Sequence, residues 1–228
     1  MKTLLLLAIL LVSVSFAAAQ NHEYAPLQEK EISYKNWNYK SVRDGKEINL
    51  RDFAKNKKLV MVVYFAPWCP NWKLEAPVAQ KFYEKYKANG LEIVGVGEYD
   101  TIDSIKTSLD TFKITFPVVY ELELKETKER ADVRQKTLHY EYRQKTGDTR
   151  NWGSPWNIFL IPSQLKSKGD TLTEKTFVVN GELIEADTEA FIREKLGLPK
   201  EEKTVSTKEK ASTEVCEDSA TATSLKKP

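Results

Sequence analysis

The feature that most constrains this chain is a seven-residue apolar run, Leu59-Val60-Met61-Val62-Val63-Tyr64-Phe65, that turns sharply through Ala66-Pro67-Trp68-Cys69-Pro70 into a helical pattern. The run is strand-length and rich in β-branched and aromatic residues, with no polar alternation. That pattern predicts a central strand buried on both faces. From Pro70 to Asn89, residues Trp72, Leu74, Val78, Phe82, Tyr83 and Tyr86 recur at steps of about three and four, and Gly90 closes the segment. Pro77 lies inside it, where it removes a backbone hydrogen bond. Strand, turn, cysteine, helix is a setting in which a thiol becomes a nucleophile. A cysteine at a helix N-terminus faces unpaired N–H groups and the positive end of the helix dipole, and both favour thiolate over thiol. The competing reading of Cys69 is a small buried core residue.

Around this unit the spacing predicts further elements. Tyr34 to Leu50 reads as two short strands about the turn Arg43-Asp44-Gly45-Lys46. Leu91 to Val96 reads as a strand, Asp103 to Phe112 as a helix, and Phe116 to Tyr120 as a short apolar segment. Glu121 to Arg150 is too dense in charge to assign beyond a helix with solvated faces. Trp152-Gly153-Ser154-Pro155-Trp156 leads into a strand over Asn157 to Ile161. Phe177 to Ile184 reads as a hairpin with an Asn180-Gly181 turn, and Thr188 to Leu196 as a closing helix. Alternating strands and helices imply an α/β fold with a partly parallel sheet.

The ends carry different signals. Lys2, the apolar run Leu4 to Val12 and Ala17-Ala18-Ala19 read as a signal peptide cut after Ala19, since the run is too short to span a bilayer. Residues 20–33 read as a polar lead-in, 34–197 as the folded domain and 198–228 as a disordered tail. That tail is Lys, Glu, Ser, Thr and Ala with no aromatic residue. The expected destination is outside the cytoplasm, periplasmic or secreted, with no membrane span in the mature chain. Net charge is +2 from 35 basic and 33 acidic residues, which argues against nucleic acid as the partner. The two histidines, His22 and His139, stand apart with no spacing for a zinc site, so no metal and no cofactor are expected. The two cysteines, Cys69 and Cys216, form no disulfide scaffold.

The segment Val62 to Trp72 resembles the active site of thioredoxins, in which W-C-x-x-C follows the central strand. The exported TlpA/ResA-like redoxin branch is more similar still. Its D-G-K hairpin resembles Asp44-Gly45-Lys46, its helix proline Pro77, and its F-P-V segment Phe116-Pro117-Val118. Its cis-proline motif resembles Gly153-Ser154-Pro155-Trp156-Asn157-Ile158-Phe159-Leu160-Ile161. The resemblance covers roughly residues 34–197. It implies a thioredoxin-like fold: a central mixed sheet flanked by helices, with an added N-terminal β-hairpin. It implies Cys69 as the attacking thiol and a cis Pro155. It places Trp68, Trp72, Ser154, Pro155 and Trp156 around the substrate. Glu75 holds the family's glutamate position, where it serves proton transfer or is only a helix-surface charge.

One departure stands out. The family's second cysteine lies three residues after the first, and Trp72 is there instead. The usual dithiol cycle resolves a mixed disulfide with that second thiol, so it cannot run within this motif. The expected function is therefore thiol-disulfide oxidoreductase chemistry through Cys69 alone. Its substrates would be protein or small-molecule thiols and disulfides, with an external reducing thiol for release and Cys216 as a candidate resolving cysteine. The alternative is a redox-inactive thioredoxin-fold module that binds a peptide or partner protein. A one-cysteine peroxidase is weaker, because Ala66 stands where peroxidases of this fold carry threonine. Trp72 is expected to lie over the thiol.

Overall fold

The computed structural model describes residues 22–200; the signal-peptide reading, most of the tail and Cys216 lie outside them. Eight strands form one mixed sheet. Its centre is β5 (Leu59–Phe65), wholly buried, with β6 (Leu91–Gly97) parallel on one side and β8 (Trp156–Leu160) antiparallel on the other. Outward from β8 come β9 (Thr171–Val179) and β2 (Gln28–Lys35), both antiparallel to their neighbours. Outward from β6 come β7 (Val118–Tyr120), parallel, and then the antiparallel hairpin of β3 (Asn38–Ser41) and β4 (Glu47–Asn49). This is the expected mixed sheet with its added hairpin. Gly45, at φ +69°, supplies the positive φ that the turn needs.

The run with no polar alternation is explained by its two faces. Leu59, Met61, Val63 and Phe65 enter one apolar core. That core is completed by α2 (Pro70–Tyr86), α3 (Ile102–Thr111) and α6 (Glu185–Leu196). Val60, Val62 and Tyr64 enter the opposite core, capped by α1 (Leu50–Ala54) and α5 (Leu138–Thr146). A strand buried on both faces has no polar side to alternate. The charged stretch holds a short helix, α4 (Arg130–Arg134), as well as α5.

Two expectations differ from the structure. The lead-in holds β1 (Tyr24–Ala25) and the edge strand β2, so the ordered sheet begins before Tyr34. Its polar composition comes from a solvated edge strand, whose buried side chains, Ile32 and Tyr34, alternate with exposed ones. The Asn180-Gly181 hairpin does not form: β10 (Glu182–Leu183) pairs in parallel with β1 as a separate two-stranded sheet. Neither Asn180 nor Gly181 has the positive φ of a tight hairpin turn. Gly181 instead lets β1 approach: a Cβ there would lie 2.2 Å from the carbonyl oxygen of Glu23.

Candidate functional site

The C-terminal end of β5 delivers Cys69 to the N-cap of α2, and Pro70 opens the helix where a missing N–H costs nothing. The chain turns with Cys69 N–H on the Ala66 carbonyl at 3.0 Å. From the other side comes the loop before β8, where the Ser154–Pro155 peptide bond is cis, as the motif predicts. Ser154 joins the two segments twice. Its hydroxyl accepts the Ala66 N–H at 2.8 Å, and its carbonyl accepts the Cys69 S–H at 3.0 Å. The thiol therefore does not cap its own helix; it points across to the cis-proline loop.

Cys69 is 7% exposed. It lies at the base of a groove of about 520 Å³ whose walls include Trp68, Leu74, Trp152 and the Gly153–Ser154 backbone, with Glu23, Lys73 and Arg150 at its polar margin. Trp68 and Trp152 meet edge to face, ring centres 5.2 Å apart. A second groove of about 570 Å³, along α3, lies on the other side of Trp68. Trp152 comes into the site with no motif of its own; its place immediately before Gly153-Ser154 was the available signal.

The remaining expected site residues divide. Pro155 is buried beside Ser154, and its carbonyl accepts Arg150 Nη2 at 2.9 Å. Trp72 does not cover the thiol. It is fully buried, stacked on Phe65 at 4.0 Å, with Nε1–H donating to Ser108 Oγ at 3.1 Å. The reason is helical phase: Trp72 shares the inward face of α2 with Ala76, Ala79, Phe82, Tyr83 and Tyr86, whereas Leu74 is half-buried and lines the groove. Trp156 is also removed from the groove. It is fully buried in the opposite core, and its indole N–H donates to Asn180 Oδ1 at 2.7 Å.

Glu75 is not a helix-surface charge. It is 2% exposed, and Oε2 accepts the Leu183 N–H at 2.8 Å. Burial pushes its carboxyl up to about 8, and the Leu183 N–H, which favours the anion, opposes that only in part. The Asn157 side chain also bonds to this carboxyl, and neither Oε1 of Glu75 nor Oδ1 of Asn157 meets an N–H donor. No hydrogen bond joins Glu75 to the thiol among the described residues.

Beneath the loop lies a buried ion-pair system. Arg143, fully buried, donates from Nε to Asp148 at 3.0 Å, and its guanidinium also reaches the Arg150 carbonyl. Arg150 in turn pairs with Asp148 at 2.8 Å and with Glu23 at 3.1 Å. Gly153, at φ +55°, leaves room for Arg143: a Cβ there would fall 1.6 Å from Nε. His139 is also buried, 2.9 Å from the Tyr99 hydroxyl and stacked on Tyr64. Burial, with Arg143 nearby, holds its imidazole well below the usual range and therefore neutral. Among the described residues no three His, Cys, Asp or Glu side chains form a metal-holding group, and no helix is long and apolar enough to cross a membrane.

Comparison with known proteins bears on the family and the fold. The profile of the AhpC/TSA family matches residues 31–150. The thiol-disulfide oxidoreductase ResA of Bacillus thuringiensis subsp. konkukian is 32% identical over 75 residues, 33% of this chain and 42% of that protein. ResA of Oceanobacillus iheyensis is 38% identical over 64 residues, 28% of this chain and 33% of that protein. The chain thus matches less than half the length of these curated relatives. Among solved structures, a thioredoxin-family thiol:disulfide interchange protein of Chlorobium tepidum superposes with a TM-score of 0.50 at 20% identity, covering 74% of this chain and 98% of that one. A secreted thiol-disulfide isomerase of Corynebacterium glutamicum gives a TM-score of 0.51 at 16% identity, covering 74% and 92%. These likenesses show the thioredoxin-like fold.

Proposed function

The chain belongs to the AhpC/TSA family, and on that premise we propose that it is an exported thiol-disulfide oxidoreductase working through Cys69 alone. One observation carries the reading. The Cys69 thiol sits at the N-cap of a long helix, donates to the Ser154 carbonyl, and forms the base of a groove open to a substrate. A thiol buried as plain core would have no such opening.

The reaction is disulfide exchange. Cys69 gives up its proton, and its sulfur attacks one sulfur of a disulfide R–S–S–R′. A Cys69–S–S–R bond forms, the original S–S bond breaks, and R′S⁻ leaves and takes up a proton. An external thiol R″SH, as its thiolate, then attacks the R sulfur. It releases R–S–S–R″ and restores Cys69, so the cycle is an exchange with no net change in oxidation. Trp72 stands where a second cysteine would resolve the intermediate, so release depends on the external thiol or on Cys216. Glu75, with its carboxyl at about 8, is neutral near pH 7 and bonds to the Leu183 N–H rather than to the thiol. The N-terminal signal supports export to the periplasm or beyond.

The test is intact-mass and peptide-mass analysis of wild type and Cys69→Ser after exposure to oxidised glutathione. A glutathione adduct on Cys69, released by added thiol and missing from that peptide in Cys69→Ser, is the expected result. An unmodified Cys69 under conditions that modify a free peptide thiol would overturn the reading and leave a scaffold that binds without chemistry. The same maps test Cys216: an intrachain Cys69–Cys216 link supports resolution by the tail, and links only between chains refute it.

A further inference from the structure

The loop entering α3 places Tyr99 at φ +58°, a left-handed conformation that is rare for a bulky residue and that clusters at functional sites. This turn gives Tyr99 two roles beside the thiol groove. Its carbonyl accepts both the Trp68 indole N–H, at 3.3 Å, and Arg130 Nε, at 2.8 Å. Its ring packs edge-on against Trp152 at 5.2 Å and bonds to His139 through the hydroxyl. A single residue thus ties together the two indoles that wall the groove.

Helix α4 completes the frame. Arg130 and Arg134 are four residues apart and share a face of the helix. The Arg130 guanidinium lies 5.2 Å from the Trp68 ring centre and pairs with Asp100 at 2.6 Å. The Arg134 guanidinium lies 5.3 Å from the Trp152 ring centre and holds both the carbonyl and the side chain of Asn151. Each arginine therefore faces one indole and is fixed from behind by a backbone carbonyl. Cation–π contact in this arrangement restrains the ring as well as attracting it. The charge-dense segment supplies two clamps on two aromatic walls.

We propose that Arg130 and Arg134 are positioning residues that set the Trp68–Trp152 pair as a rigid aromatic wall of the groove that holds Cys69, and that this wall selects disulfides whose half-cystine is flanked by a large apolar side chain. The inference rests on the disulfide-exchange reading above. The packed indoles offer such a side chain aromatic surface in the groove of the reacting sulfur, and the arginines keep that surface from swinging out. A small polar neighbour gains nothing from it.

The experiment uses two short peptides, each with one cysteine activated as its 2-pyridyl disulfide, flanked by Phe in one and by Ser in the other. Every protein compared, wild type at the arginines included, carries Cys216→Ser, so Cys69 is the one thiol present; it attacks the peptide sulfur, pyridine-2-thione leaves, and its absorbance gives the rate. The preference is a ratio measured within one protein, so an overall loss of active protein cancels. Wild type is expected to favour the Phe peptide roughly tenfold. Replacing both arginines by Gln is expected to cut that ratio about three- to fivefold, and replacing both by Lys, which keeps a cation over each ring, to restore part of it. No preference in wild type, a preference unchanged in the Gln variant, or an equal loss in the Gln and Lys variants overturns the proposal. If the double variant does not fold, R134Q alone is measured in the same way, because Arg134 is half-buried and its guanidinium meets Asn151 and the rings of Trp152 and Tyr140 rather than a buried acid. A wild-type protein that releases no thione from either peptide fails at the reaction itself, which removes the exchange reading and this inference with it.

Discussion

Replacing Glu75 by Gln removes one titrating group from the core while leaving its shape. The wild-type carboxyl moves from an ordinary 4.5 to about 8 on folding, mainly through burial. The folded state therefore holds a proton that the unfolded chain releases between those two values. A raised folded pKa is stabilising in full below the unfolded value and is lost as pH rises through the folded one. Wild type should lose about 1.4 kcal/mol per pH unit from this group across that window, and about 5 kcal/mol over the whole of it. The glutamine side chain cannot titrate, and its carbonyl can still accept the Leu183 N–H. Its amide N–H can also donate to the Asn157 side chain, which bonds to the carboxyl in the native protein. Other buried groups titrate as well: Glu98 is held well above the carboxylate range by burial and by Glu121, and His139 well below the imidazole range. These are common to both proteins and cancel in the difference. Urea unfolding of wild type and Glu75→Gln, followed by tryptophan fluorescence at pH 5, 6, 7 and 8, gives that difference. The variant should gain on wild type steadily as pH rises, whatever their offset at pH 5. Parallel stability profiles would show that Glu75 is ionised in the folded protein and that the account of its burial is wrong.

Trp72→Ala should cost about 3–5 kcal/mol, read as a lowered urea midpoint, because it empties a fully buried site and strands the Ser108 hydroxyl. A loss under about 1 kcal/mol together with much faster alkylation of Cys69 would instead place the indole over the thiol. Gly153→Ala should cost at least about 2 kcal/mol by the same measurement, since the new Cβ needs the space of the Arg143 guanidinium and the backbone is left-handed there. Near-native stability in that variant would mean that Arg143 does not pack under the loop.

What the sequence determined by itself was the part of the protein in which neighbouring residues decide the outcome. The apolar run, Cys69, Pro70 and the helical spacing after them specify strand, turn and helix locally, and Asp44-Gly45 closes its hairpin through a positive φ at the turn. The cis Ser154–Pro155 bond was legible through family resemblance. What the tertiary structure decided was which side each residue faces and which distant segment meets it. Trp72 and Trp156 carry the aromatic signal of a binding site, yet helical phase and strand alternation send both into cores on opposite faces of the sheet. Glu75 reads as a charge on a helix until β8 and β10, through Asn157 and Leu183, close over it and desolvate it. The Asn-Gly pair carries a local turn signal that the close approach of β1 overrides. Arg130 and Arg134 are lost among like charges in sequence, because a cation–π contact depends on where two rings from elsewhere in the chain come to lie. Local propensity acts through bonds between near neighbours; burial and pairing act through space, and only the folded chain supplies that arrangement.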